Sequence, residues 1–212
     1  MSILNEISTL LQQGRAPKVK ELVTQALDEG LAAQDILENG LLAGMAVVGE
    51  KFKKNEVFVP EVLIAARAMN AGIDILRPHL IASGVTAKGR AVIGTVKGDL
   101  HDIGKNIVKM MLEGKGLEVV DLGVDVPAEA FVEKAKECDA QIICCSALLT
   151  TTMSEMKLIV EKAEQAGIRD RVKIMIGGAP VTQAFCDSIG ADYYTSDAAS
   201  ASDIALEICA GN

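Results

Sequence analysis

The chain has 212 residues, five cysteines and a formal net charge of −8, and half of it is apolar. That is enough apolar material for an ordinary buried core, while the acidic balance excludes a general nucleic-acid binder, which presents a basic face. No apolar run approaches the ~18 residues of a membrane span, and residues 1–7 lack a basic segment followed by an apolar one, so neither a membrane association nor a secretory leader is expected.

Residues 1–83 read as helix throughout. Ile3, Leu4, Ile7, Leu10 and Leu11 recur at helical spacing. Pro17 suits the first turn of a second helix carrying Val19, Leu22, Val23, Ala26 and Leu27, and Gly30 suits its end. A third apolar face runs through Ile36, Leu37, Leu41, Met45, Val48 and Phe52. After a polar turn, Pro60 opens a fourth helix through Leu63, Ala66, Met69, Ile73 and Leu76. His79 follows Pro78 at the end of that helix, where it reads as an exposed or capping residue. Four helices with short connections predict a small antiparallel bundle.

Residues 84–90 hold few large apolar groups and read as a linker. Beyond them, over 91–212, apolar strand-like runs at 91–96, 117–122, 140–145, 172–176 and 191–194 alternate with helical segments, one of them opened by Pro127. That alternation predicts a doubly wound α/β domain with about five parallel strands. The five cysteines lack zinc-ligand spacing, and Cys144 and Cys145 lie within an apolar run that suits buried thiols. A reducing cytoplasm is the expected location.

The chemistry concentrates at Gly98-Asp99-Leu100-His101-Asp102-Ile103-Gly104, a loop between the first strand and the next helix. The carboxyl ends of strands are where open α/β sheets bind ligands. An imidazole two residues from a carboxylate can face a metal through one nitrogen while the acid orients the other. The loop is not a P-loop, because five residues separate Gly98 from Gly104 and Lys105 precedes Asn106; the G-x-G-x-x-G fingerprint is absent as well. Two more strand ends carry small or hydroxyl residues: Ser146 to Thr152 after the third strand, and Gly177-Gly178 after the fourth. Taken singly, a threonine run reads as capping and a glycine pair as turn chemistry. Together the three loops line one crevice.

Asp99-x-His101-x-x-Gly104, followed by Ser146-x-Leu148 and Gly177-Gly178, resembles the signature of cobalamin-binding domains that hold the cofactor base-off. It is similar to the cobalamin-binding region of methionine synthase. The resemblance implies a flavodoxin-like fold in which His101 replaces the cofactor's own base as the lower ligand of cobalt. Asp99 would hydrogen-bond the second imidazole nitrogen, and a hydroxyl six positions after Ser146, here Thr152, would continue the chain towards solvent. Residues 98–104 would seat the corrinoid. Ser146, Leu148 and Thr150 would line a slot for its nucleotide tail beside Gly177 and Gly178, whose missing side chains would let backbone approach the tail.

The helical half, with Phe58-Val59-Pro60-Glu61-Val62 before its last helix, resembles the cap of stand-alone corrinoid proteins from methanol, methylamine and quaternary-amine methyltransferase systems. That likeness implies an apolar lid including Phe58, Val59, Val62 and Leu63, with the linker as its hinge. It also implies a protein that is not catalytic alone. Cycling between cob(I)alamin and methylcob(III)alamin, it would carry a methyl group from a substrate-specific methyltransferase to a second one acting on tetrahydrofolate or coenzyme M, with a reductive activase as a further partner. The alternative is the small subunit of an adenosylcobalamin-dependent mutase, which shares the three loops but usually lacks such a cap.

Overall fold

A computed structural model describes residues 2–211. It divides into two compact units, one running up to Ala87 and including Gly114–Gly116, the other holding the rest from Lys88 onward.

In the helical unit, α1 (Ile3–Gln12) is capped by Ser2, whose hydroxyl accepts from the Asn5 N–H at 3.3 Å. Helix α2 (Ala16–Asp28) carries Pro17 in its first turn and stops before Gly30, as expected. The third helix departs from the sequence expectation. It comprises α3 (Ala33–Asp35), a π-helical segment (Ile36–Leu42) and α4 (Ala43–Lys53). The buried residues Ile36 and Leu41 lie five apart, the step of a π turn, so the wider turn brings both inward where an α-helix could not. Helix α5 (Val59–Ala82) runs past Leu76 and contains Pro78. His79 therefore sits inside the last helical turn, where its carbonyl accepts the Ser83 N–H. The buried stripe of α5, Val62, Ala65, Met69, Gly72 and Leu76, follows the alternating three- and four-residue steps of an inward helical face.

The second unit is a five-stranded parallel sheet: β1 (Arg90–Thr95), β2 (Glu118–Asp121), β3 (Ile142–Ser146), β4 (Lys173–Gly177) and β5 (Tyr193–Tyr194), in the order β2-β1-β3-β4-β5. Helices α6 (Ile103–Gly114), α7 (Ala128–Glu137), α8 (Ser154–Gln165), α9 (Gln183–Ile189) and α10 (Ala198–Ala210) connect and follow the strands. Period-two alternation sends Val92, Ile143 and Ile174 into one apolar cluster with Phe131, Met156 and Ile159. Ala91, Ile93, Ile142 and Met175 face the other way, with Leu112 and Ala205. The neighbouring residues Cys144 and Cys145 thus fall on opposite faces, both buried.

The strand order is flavodoxin-like and reverses between β1 and β3, the switch point at which such sheets open a crevice. Strand register places Thr95 beside Ser146 and Ser146 beside Gly177, so the loops leaving β1, β3 and β4 start side by side.

Candidate functional site

The site is built around Asp99, which has no exposed surface. Its Oδ1 accepts the His101 backbone N–H at 3.1 Å and faces the His101 ring Nδ1 at 2.7 Å. Its Oδ2 accepts the N–H groups of Leu148 at 2.7 Å and Leu149 at 3.2 Å, and the Thr152 hydroxyl at 3.0 Å. Burial pushes the Asp99 carboxyl upward. The Leu148 N–H, the His101 ring and backbone N–H and the Thr152 hydroxyl more than offset it, and they hold the group well below the usual carboxylate range. Asp99 is therefore an anion at neutral pH, stabilised by donors from two loops.

His101 shows the opposite exposure. Its side chain is 52% exposed although Nδ1 is fixed by a fully buried carboxylate. An anionic partner at Nδ1 selects the tautomer protonated there, which leaves the Nε2 lone pair pointing away as a metal donor. The loop is also held from β1: buried Thr95 donates its hydroxyl to the His101 carbonyl at 2.8 Å. Around the imidazole the sequence places apolar side chains in the open, with Leu100 and Ile103 more than two-thirds exposed and Leu148, Leu149 and Val124 also exposed. Gly104, in the first turn of α6, adds open space, because a Cβ there would meet nothing within 4 Å.

Asp99, His101, Leu148 and Thr152 are brought together by the fold. Ser146 ends β3 next to Gly177, and Thr150 is exposed on the loop between. For Gly178 the reason differs from the sequence expectation. Gly178 has φ +135°, and a Cβ on it would lie 1.8 Å from the Ala147 carbonyl oxygen, so the neighbouring protein backbone already requires glycine there. At Gly177 an added Cβ would meet only the Thr195 oxygen at 3.7 Å, and the space it leaves is open. Thr152, whose hydroxyl was expected to lead to solvent, is only 7% exposed, and that hydroxyl also lies 2.9 Å from the Leu149 carbonyl. Val62 belongs to the buried stripe of α5 and offers no lid surface, whereas Phe58 and Leu63 are exposed.

Three contributors escaped the sequence. Thr95 had a signal, since it is a lone hydroxyl closing the apolar run that starts at Ala91. The N–H of Leu149 had none, because a backbone donor carries no side-chain signature. Thr195, just after β5, borders Gly177 only because β4 and β5 pair in parallel register.

Comparison with known proteins agrees with this geometry. Residues 89–202 match a B12 binding domain family, and residues 3–77 match a second B12 binding domain family. A corrinoid protein of Desulfitobacterium hafniense is 43% identical over 98% of both chains. Trimethylamine corrinoid protein 1 of Methanosarcina acetivorans is 51% identical over 82% of both chains. Among solved structures, the methanol:cobalamin methyltransferase complex of Methanosarcina barkeri matches with a TM-score of 0.90 at 33% identity, covering 99% of this chain and 80% of that one. Fold and site thus define a B12-binding protein with a helical unit ahead of a flavodoxin-like sheet. The chain belongs to the family of corrinoid proteins, and its cofactor is a cobalamin.

The residues present fit that cofactor. Among the described residues no group of three or more His, Cys, Asp and Glu side chains is placed to hold a metal, so His101 offers a single ligand. A cobalt that brings four equatorial nitrogens of its own needs only one donor from below. The exposed apolar collar of Leu100, Ile103 and Leu148 suits the flat underside of a macrocycle.

Proposed function

We propose that this protein carries a methyl group on its corrinoid between two methyltransferases. The first takes the methyl from a small donor such as a methylamine or methanol, and the second delivers it to tetrahydrofolate or coenzyme M. When bound, the corrinoid supplies the nucleophilic cobalt that accepts and releases the methyl group. The observation that carries the reading is the half-exposed His101 ring, held by buried Asp99 at the sheet's switch point. Its Nε2 would hold the cobalt, and Asp99 keeps the ring in the donor tautomer and fixes its orientation. Thr152 and the Leu148 and Leu149 N–H groups keep Asp99 charged and in place.

Ser146, Thr150, Gly177 and Thr195 line the entrance for the nucleotide tail. The likeness to the methanol:cobalamin methyltransferase complex, and to corrinoid proteins named for trimethylamine, supports a methyltransferase partner.

Anaerobic reconstitution with cobalamin, gel filtration and a visible spectrum test the ligand. Retained corrinoid with a base-off spectrum that changes in His101→Ala is the expected result; identical spectra for the two proteins would remove His101 from the cobalt. Methyl transfer to the reconstituted protein by purified methylamine or methanol methyltransferases then tests the carrier role, and failure with every such enzyme would argue against it.

A further inference from the structure

Asp125 is an exposed residue on the β2–α7 loop with φ +54°, a left-handed conformation that costs any side chain other than glycine. Asp and Asn tolerate it best, and the strain persists only where surrounding contacts impose it. Here the contacts reach another loop. The Asp125 Oδ1 accepts the Gly98 N–H at 2.7 Å, and the Asp125 N–H donates to the Asp99 carbonyl at 3.0 Å. Gly98 is itself left-handed, at φ +81°. A strained aspartate and a left-handed glycine, on loops from adjacent strands, are therefore tied in both directions. The tie closes on the main chain of Asp99, whose side chain holds the His101 ring.

Each end of the axial-ligand loop thus has its own restraint. Thr95 holds the His101 carbonyl from β1, and Asp125 holds the segment before His101 from the β2–α7 loop. Leu148, Leu149 and Thr152 fix only the Asp99 side chain. Without the Asp125 carboxylate, the Gly98–Asp99 backbone would turn more freely, because Gly98 has the widest conformational range of any residue. A swing of that backbone would displace the carboxylate, and the imidazole with it.

We infer that Asp125 is a positioning residue that clamps the Gly98–Asp99 backbone and thereby sets how firmly His101 is presented to cobalt. This rests on the reading of His101 as the axial ligand. The clamp explains why a strained, exposed aspartate occupies a turn that glycine would enter without cost. It acts through two hydrogen bonds, one of them charge-assisted, and needs no contact between Asp125 and the corrinoid.

Three variants separate the clamp from the backbone conformation. Asp125→Gly keeps the left-handed turn and loses the acceptor, Asp125→Asn keeps both, and Asp125→Ala loses the acceptor and retains the strain. Each is reconstituted with methylcobalamin, and the His-coordinated fraction is read from the visible spectrum across pH, with far-UV circular dichroism as a check of folding. In Asp125→Gly the equilibrium constant for His101 coordination should fall roughly three- to tenfold, the effect of one ordinary hydrogen bond. Asp125→Asn should stay near the parent. An Asp125→Gly protein with the parent's coordination equilibrium overturns the inference, and so does an equal fall in Asp125→Gly and Asp125→Asn. A His101→Ala control distinguishes the two levels: if it matches the parent spectrum, the axial-ligand reading itself has failed.

Discussion

Two carboxylates stand at carboxyl ends of strands in the same sheet, and they are satisfied in opposite ways. Asp121, the last residue of β2, is met by cations. The Lys105 Nζ lies 2.7 and 2.8 Å from its two oxygens, Lys109 lies 3.4 Å away, and the Gly123 N–H donates at 2.9 Å. Burial raises the Asp121 carboxyl, and Lys105 with the Gly123 N–H lowers it further than burial raises it. Asp99 is equally anionic but is held by neutral donors and an imidazole. A lysine ion pair is complete in itself, and this one pins the first turns of α6 to β2. A carboxylate whose partner is a half-exposed imidazole leaves a directed lone pair that can bind a metal. The contrast separates the structural pair from the functional one on geometry alone.

The comparison breaks most sharply at Asp99. Asp99→Ala removes the acceptor shared by the His101, Leu148 and Leu149 backbone N–H groups, leaving these three without that partner, while the Thr152 hydroxyl keeps the Leu149 carbonyl. Each such group costs about 1–3 kcal/mol, so the cofactor-free protein should lose ~3 kcal/mol or more of stability in denaturant unfolding. Lys105→Met should cost less, about 2 kcal/mol. Lys105 is almost fully buried, but Asp121 is 21% exposed and keeps Lys109 and the Gly123 N–H. The paired change Lys105→Met with Asp121→Leu should recover most of that loss, because an apolar pair replaces the ion pair. No apolar replacement of Asp99 should do the same, since its donors are main-chain groups that cannot be mutated away.

Acid sharpens the same contrast. The folded Asp99 carboxyl is depressed, so its contribution is fully present above the unfolded value of ~3.9 and is lost as pH falls below that towards the folded value. At pH 7 the cofactor-free parent should exceed Asp99→Asn in stability by about 1–3 kcal/mol, and the gap should narrow below pH ~4. A gap that stays constant from pH 7 to pH 3 would mean that the Asp99 carboxyl titrates alike in the folded and unfolded chain. Asp121→Asn should converge on the parent over the same acid range, because Asp121 is lowered too.

How far the sequence revealed this site follows the same physics. The sheet was legible because buried parallel strands are short apolar runs separated by helices, and the loops at their ends can be counted. Asp99 and His101 were legible because a carboxylate and an imidazole on a glycine-flanked loop have few other purposes. The π-helical step at Ile36–Leu42 was not, because that stretch offers apolar residues at both α and π spacing and only packing chooses between them. Pro78 reads as a helix end, yet α5 accommodates it. Val62 reads as part of a lid because it neighbours Phe58 and Leu63 in sequence, but a helix turns 100° per residue and sends it inward. Asp125 and the Leu149 N–H acquire a role only when loops distant in sequence meet.

Thr152 gives the smallest and most discriminating effect. Its hydroxyl has one proton and two acceptors within reach, Asp99 Oδ2 at 3.0 Å and the Leu149 carbonyl at 2.9 Å. While Asp99 is charged, the hydroxyl donates to the carboxylate, the stronger acceptor. If Asp99 takes up a proton, the hydroxyl can rotate, donate to Leu149 and accept from Asp99 without moving a heavy atom. Thr152→Val keeps the shape and removes that adaptability, at a cost of about 0.5–1.5 kcal/mol in the cofactor-free protein, and Thr152→Ser should restore it. A double-mutant cycle between Thr152→Val and Asp99→Asn should show coupling of about 1 kcal/mol at pH 7. Additive losses would mean that the hydroxyl serves the Leu149 turn alone, and that Asp99 is held entirely by backbone and imidazole.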